Sequence, residues 1–287
     1  MAYRSGLIDM ALLSGEQAEV YGEEAGFRSV PLGSLWYLVP NFHHEALANR
    51  NLRMALALAF DREEAAAQVL ADGSQAAWGA IPRGAMTGPE GEDFRDGAPR
   101  YLEPDQKKAA EYLRKAKEEL GQDSFSFVLL IEDTDTAGNL GQYLQEAIAE
   151  ALPGVTIELE AVPKKMRLER MAEGDFALGL TRWGADYPDP LGFLDLWTSG
   201  SAFNYGSWQN AEYDAMIREA REGSFLGDPG KRWAVLHQAE GLLMEDAAIF
   251  PVCEKAVSML INPEIEGEQF HTVGITREWK YAGKDEK

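Results

Sequence analysis

The hydrophobic pattern switches between strand-like and helix-like spacing over residues 125–180, and that switching predicts the architecture. Phe125–Ile131 is an apolar run of strand length. Asn139–Leu152 carries apolar residues at helical spacing, and Pro153-Gly154 supplies a turn. Val155–Glu160 then alternates apolar with polar residues, Met166–Met171 reads as a short helix, and Phe176–Leu180 reads as another buried strand. Strand, helix, strand, helix, strand predicts an α/β fold with a mainly parallel mixed sheet flanked by helices. Ligands of such sheets sit beyond the carboxyl ends of strands, so the loop after Leu180 is where chemistry is expected.

The same reading extends to both sides. Around Gly6, Tyr3–Met10 is expected to close a helix and open a short strand, with Gly6 as a left-handed cap. Phe27–Phe42 has strand character and leads into Asn41. Helix is expected from Asn51 to Val69, with Asp61 capping its second part. Residues 72–100 are rich in Gly, Pro and Ala and predict a long wrapping or functional loop. Asp105–Leu120 is a charged amphipathic helix with Ala109, Tyr112, Leu113 and Ala116 inward, ended by Gly121. Asn210–Arg221 and Pro229–Asp246 read as helices, Ala248–Val252 and Val257–Ile261 as strand segments, and the tail after Tyr281 as mobile.

The loop after Leu180 carries the candidate site: Trp183, Gly184, Ala185, Asp186 and Tyr187, closed by Pro188, Asp189 and Pro190. Trp183 offers a flat apolar face, Gly184 permits close approach of a ligand backbone, and Asp186 can pair with a cationic group. The prolines keep a helix from starting early. Read on spacing alone, the same run is equally a tight strand-to-helix turn with Trp183 in the core. The aromatics Trp197, Phe203, Tyr205 and Trp208 follow, and each either lines a pocket or packs into the core.

Charge and composition narrow the classes. A formal charge of −21 argues against a nucleic-acid surface. A lone cysteine, Cys253, excludes an intrachain disulfide and a paired-cysteine metal or redox site, and reads as a buried, inert residue. No apolar run approaches the length of a membrane span, and the N-terminus shows no secretory signal core. His43-His44-Glu45 lacks a third ligand at fitting spacing, so no metal is expected. Glu132–Asp135 reads as a solvated loop or helix cap. No serine stands in a nucleophile-elbow context, so no enzyme activity and no cofactor are expected.

Several landmarks together resemble the peptide-binding receptors of ABC importers, the oligopeptide- and dipeptide-binding protein family. Tyr3–Met10 is similar to that family's Y-x-S-G-x-I-D segment. Asn41 with Asn49–Arg62, Gly79–Pro82, Trp183–Pro190 followed by Phe193-Leu194, and Ile249–Val252 are similar to further segments in the same order. The resemblance covers nearly the whole chain but only the C-terminal half of those two-lobed receptors. It implies a lobe of the periplasmic-binding-protein type, class II, over residues 36–255. Residues 1–35 would be a remnant of the first lobe, and 256–287 the return to that lobe and the tail. Incomplete sheets and exposed apolar surface are expected in these two end segments.

The resemblance further implies non-catalytic capture of a peptide or other small solute for ABC-importer membrane subunits, on the periplasmic or extracellular face. Any signal or anchor would lie outside this chain. Asp186 would hold the ligand's amino group, Gly184 would lend backbone groups in the manner of strand addition, and Trp183 would wall the pocket, with Ala185, Tyr187 and Asn41 as further ligand-binding candidates. The family's tryptophan and arginines before the loop are replaced here by Lys164, Met171 and Leu180, with Arg182 adjacent. Alternatives are a receptor for a non-peptide solute such as a nickel complex, or the ligand-sensing domain of a transcriptional regulator.

Overall fold

The fold is that of a computed structural model describing residues 2–284. In chain order the larger elements are β1 (Met10–Leu13), α1 (Gly15–Tyr21), β2 (Phe27–Pro40), α2 (Arg50–Ala57), α3 (Arg62–Glu64) and β3 (Gln75–Ala76). There follow α4 (Gln106–Leu120), β4 (Phe125–Glu132), α5 (Asp135–Ala151), β5 (Val155–Val162), α6 (Lys164–Glu173) and β6 (Leu178–Gly184). The chain continues through α7 (Leu191–Leu194), α8 (Ala211–Glu222), α9 (Pro229–Glu245) and β7 (Phe250–Ile261). Four two-residue strands close it, β8 (Ile265–Glu266), β9 (Gln269–Phe270), β10 (Arg277–Glu278) and β11 (Gly283–Lys284).

One mixed sheet runs β1-β7-β2-β6-β4-β5, with β3 also paired to β7. The α/β class and the flanking helices are as expected, but the parallel part is smaller than expected. β4 pairs in parallel with β5 and β6, whereas β6–β2, β2–β7, β7–β1 and β7–β3 are antiparallel. The reason is connectivity. Only residues 125–184 form strand–helix–strand crossovers, which return each strand in the same direction. β2 and β7 reach the sheet through longer excursions and enter it reversed.

β2 is the centre of this arrangement. Leu35, Trp36, Tyr37, Leu38 and Val39 are all buried, because both faces of the strand are covered. Its partner β7 is one continuous strand where two segments were expected, since β2 pairs with it from Phe27 to Leu38 across two irregularities. β6 also runs further than expected, through Trp183 to Gly184, because Leu35 and Ser34 of β2 supply partners there.

Local sequence sets most helix ends. Asn49, Asp61, Asp105, Thr134, Asn210 and Asp228 each cap a helix N-terminus by accepting backbone N–H bonds. Thr134 caps α5, which starts at Asp135, four residues before the expected Asn139, so the acidic run becomes the turn and cap between β4 and α5. The helix expected over 51–69 breaks at Leu58, restarts at the Asp61 cap and ends as a wide π turn over Ala65–Leu70. Residues near Gly6 form a turn and not a helix end, with Gly6 at φ 70°. In the tail, β11 pairs with β8, so Gly283 and Lys284 are held; residues 285–287 lie outside the described residues.

Among the described residues two apolar clusters form. The large one spans Leu35 to Cys253, and a small separate one gathers Val30, Met259 and Ile261 with Met10, Val257, Ile265 and Phe270. Leu7, Ile8, Leu12, Val20, Ile275, Trp279 and Tyr281 are exposed in the end segments, in keeping with the expected open apolar surface.

The wrapping loop over 72–100 is pinned from beneath by Glu240 of α9. Its carboxylate is wholly buried, accepts from the N–H of Ala80 at 2.8 Å and of Ile81 at 3.3 Å, and pairs with Arg95. Glu240→Ala is expected to destabilise the fold by about 3–5 kcal/mol, because it strands a buried guanidinium. Urea unfolding checks this, and a loss below about 1 kcal/mol would show that the anchor is dispensable.

Candidate ligand-binding site

The carboxyl ends of β4, β5 and β6 lie at one edge of the sheet, and the cleft opens there. β4 delivers Glu132, the turn after β5 delivers Lys164 and Arg167 of α6, and β6 delivers Thr181, Arg182, Trp183 and Gly184. Tyr37 of the neighbouring β2 and Phe203 and Tyr205 of the following loop complete a hollow of about 430 Å³. A second hollow of about 530 Å³ adjoins it, lined by Asp186, Tyr187, Asp195 and Arg221 among others. Trp183 and Phe203 line both hollows and form the ridge between them, their rings 5.0 Å apart.

The ridge is held firmly. Trp183 donates its indole N–H to the carbonyl of Gly192 at 2.8 Å. Asp189 accepts from the N–H of Leu191 at 2.9 Å and from Arg232 at 2.8 Å, which fixes the turn into α7. Gly184 is exposed and lies opposite Ser34, where an added Cβ would come within 3.1 Å of the serine Cβ. Ala185 is buried, whereas Asp186 and Tyr187 are exposed. The Asp186 carboxylate has no hydrogen-bond or ion-pair partner among the described residues. The structure thus gathers Trp183, Gly184, Asp186 and Tyr187 around the two hollows.

Asn41 is placed elsewhere. It follows β2 beside Ala177, at the opposite end of β6, roughly 20 Å from Trp183 at strand rise. Its amide donates to the carbonyls of Gly174 at 3.0 Å and Phe176 at 2.8 Å, and accepts from the N–H of His43 at 3.0 Å. In this structure Asn41 is a loop staple, buried to 4% exposure. Of the four aromatics, Trp197 and Trp208 pack in the core while Phe203 and Tyr205 face the hollows.

Sequence reasoning missed Arg167, Tyr37 and Glu132. Arg167 carries a usable signal: it stands one turn before buried Met171, on the inward face of α6, where an apolar residue would be expected. Among the described residues, no group of three or more His, Cys, Asp or Glu side chains could hold a metal ion.

This geometry can be set against known proteins. The profile "Bacterial extracellular solute-binding proteins, family 5 Middle" matches residues 1–205. The chain belongs to this family. Within family 5, it is 35% identical over 244 residues to a dipeptide-binding protein of Lactococcus lactis subsp. cremoris, covering 83% of this chain and 43% of that one. It is 26% identical over 277 residues to a probable deoxycholate-binding periplasmic protein, YgiS, of Escherichia coli, covering 94% and 49%. The substrate-binding domain of an oligopeptide ABC transporter from Bacillus anthracis superposes with a TM-score of 0.89 at 32% identity, over 99% of this chain and 56% of that one. OppA of Listeria monocytogenes, solved bound to peptide, gives 0.87 at 28% identity, over 100% and 55%. This family 5 chain therefore spans about half the length of the relatives it matches.

A larger hollow of about 560 Å³ lies by β3 and β7, away from this edge. Its cations are already paired, Arg83 with Asp96, Arg95 with Glu240 and Arg100 with Glu63. Glu254 of β7 also lines it, and burial pushes its carboxyl up to about 7 from 4.5. Protonation of Glu254 therefore favours the fold. The contribution is complete below about pH 4.5 and is lost as pH rises through about 7. Glu254→Gln is expected to flatten the fall in Tm between about pH 5 and pH 8, read by scanning calorimetry. Identical slopes in variant and parent would remove Glu254 from the pH dependence.

Proposed function

We propose that this chain is the C-terminal, ligand-facing lobe of a receptor that captures peptides for an ABC importer, without chemistry on them. Residues 36–255 form the lobe, with residues 1–35 and 256–287 belonging to its partner lobe. The separate small apolar cluster and the exposed apolar side chains of the end segments support this division. The receptor works on the periplasmic or extracellular face and hands its ligand to the importer's membrane subunits. Among the described residues no helix is long and apolar enough to cross a membrane.

The observation that carries the peptide reading is the unpaired Asp186 carboxylate beside the Trp183–Phe203 ridge. A free carboxylate next to an exposed strand end suits a ligand that offers an ammonium group and an extended backbone. Gly184 lends backbone groups, Trp183 walls the site, and Ala185 and Tyr187 shape the turn around it. Asn41 supports the fold of the lobe at a distance. The resemblance to YgiS favours a second reading, a receptor for a non-peptide solute, on the same cleft.

The test is calorimetric titration of the full-length protein with a peptide pool bearing free amino termini and with the same pool N-acetylated. Acetylation and Asp186→Ala are each expected to weaken binding by about tenfold or more. Because the Asp186 carboxylate has no partner among the described residues, Asp186→Ala should leave Tm unchanged. Equal binding in all combinations would make Asp186 a bystander. Absence of any peptide binding would overturn the peptide reading in favour of the non-peptide one.

A further inference from the structure

The ion pairs around the hollow beside β3 and β7 leave donors over. Arg95 is buried and lines the hollow, yet only one of its guanidinium nitrogens is engaged, by Glu240; Nε and Nη1 have no hydrogen-bond partner among the described residues. Buried donors are normally satisfied, so open guanidinium N–H groups at a hollow mark a place for an acceptor. Arg83 and Arg100 line the same space, and they and their partners Asp96 and Glu63 are all more than half exposed. Ion pairs so placed contribute little, and both cations are free to turn to a bound acid. Two carboxyls also line the hollow. Glu63 is exposed, and burial holds Glu254 up to about 7, so near neutral pH Glu254 opposes an anion only in part.

The rest of the wall is apolar. Trp78 is half-buried, and the Arg100 guanidinium stacks over its ring at 4.2 Å. Ala66 and Ala67 line the hollow from the π turn, Ala76 from β3, and Ala98 and Pro99 from the wrapping loop. These small side chains leave about 560 Å³ open beside a tryptophan, where larger ones would have closed it. The π turn is itself a rare form of helix that is frequent at functional sites. An apolar hollow with a few convergent polar groups is the usual form of a small-molecule site. This one shares no lining residue with either hollow at the Trp183 ridge, and β2 stands between β7 and β6.

We propose that this hollow is a second ligand site, which takes a small organic carboxylate with an apolar body. The body lies against Trp78 and the alanines, and the acid accepts from Arg95, Arg83 and Arg100. A carboxylate fits because it carries only acceptors and a guanidinium only donors, and such charge-assisted bonds are the strong ones. The site stands apart from the cleft and does not depend on what the cleft binds.

Calorimetric titration of the full-length protein with 2-naphthoate and with 2-naphthamide, which share one apolar body and differ in the head group, reads the preference. The acid is expected to bind about tenfold or more tightly than the amide. Arg95→Gln would strand Glu240, so two milder variants carry the test. Arg83→Gln combined with Arg100→Gln removes two exposed cations and should bring the acid to within about threefold of the amide. Ala67→Phe fills the hollow from an exposed position and should weaken the acid about tenfold or more. Lys164→Gln, at the Trp183 cleft, should leave binding of the acid unchanged. Equal binding of acid and amide overturns the proposal, as does no binding of the acid up to about 10 mM. Discrimination unchanged in the double arginine variant, or acid binding unchanged in Ala67→Phe, overturns it as well. Loss of acid binding in Lys164→Gln moves the anion to the cleft and equally overturns it. None of these results touches the peptide reading of the cleft, which has its own titration.

Discussion

Everything at the candidate site depends on the pairing of β2 with β6 on one side and β7 on the other. A strand covered on both faces has no water to satisfy its backbone, so each N–H and C=O must find a neighbouring strand. That requirement extends β6 as far as Gly184 and joins two expected strand segments into β7. It also fixes position: Leu35 lies opposite Trp183, Tyr37 opposite Thr181 and Ser34 opposite Gly184. The ridge of the cleft and its floor are therefore set by one register, and a slip of one residue would turn Trp183 to the other face.

The three parallel strands contribute a second constraint. Because β4, β5 and β6 run the same way, their carboxyl ends reach one edge together, and Glu132, the start of α6 and the Trp183 turn converge there. The antiparallel remainder of the sheet does not disturb this edge. It supplies the backing strand β2 and, through β7 and Glu240 of α9, the anchor for the wrapping loop. Site and support thus come from different parts of the topology.

Electrostatics divides the cleft along the aromatic ridge. Unpaired Asp186 stands on one side, beside the Asp195–Arg221 pair, while Lys164, Arg182 and the Arg167–Glu132 pair gather on the other. Charges of opposite sign held apart by a fixed apolar wall suit a dipolar ligand. The wall is stiff because Trp183 is tied to Gly192 and the turn behind it to Arg232 through Asp189. Binding energy at such a site goes into contact with the ligand and not into ordering the protein.

The sequence by itself determined the α/β class, the strand–helix alternation over 125–180, the cap at Asp61, the helix starts at Asp105 and Asn210, and the Trp183–Tyr187 turn. These are local: periodicity, a cap or a contiguous motif expresses each within a few residues. Only the tertiary structure decided the antiparallel majority of the sheet, since strand direction follows from where long excursions return and leaves no trace in strand composition. It alone brought Tyr37, Glu132, Arg167 and Tyr205 into one floor, from four segments far apart in the chain. It also separated Asn41 from the turn it was expected to join. Asn41 reads the same in sequence whether its amide faces a ligand or staples a loop, and its fate was decided by the carbonyls of Gly174 and Phe176, which the fold placed within hydrogen-bonding reach.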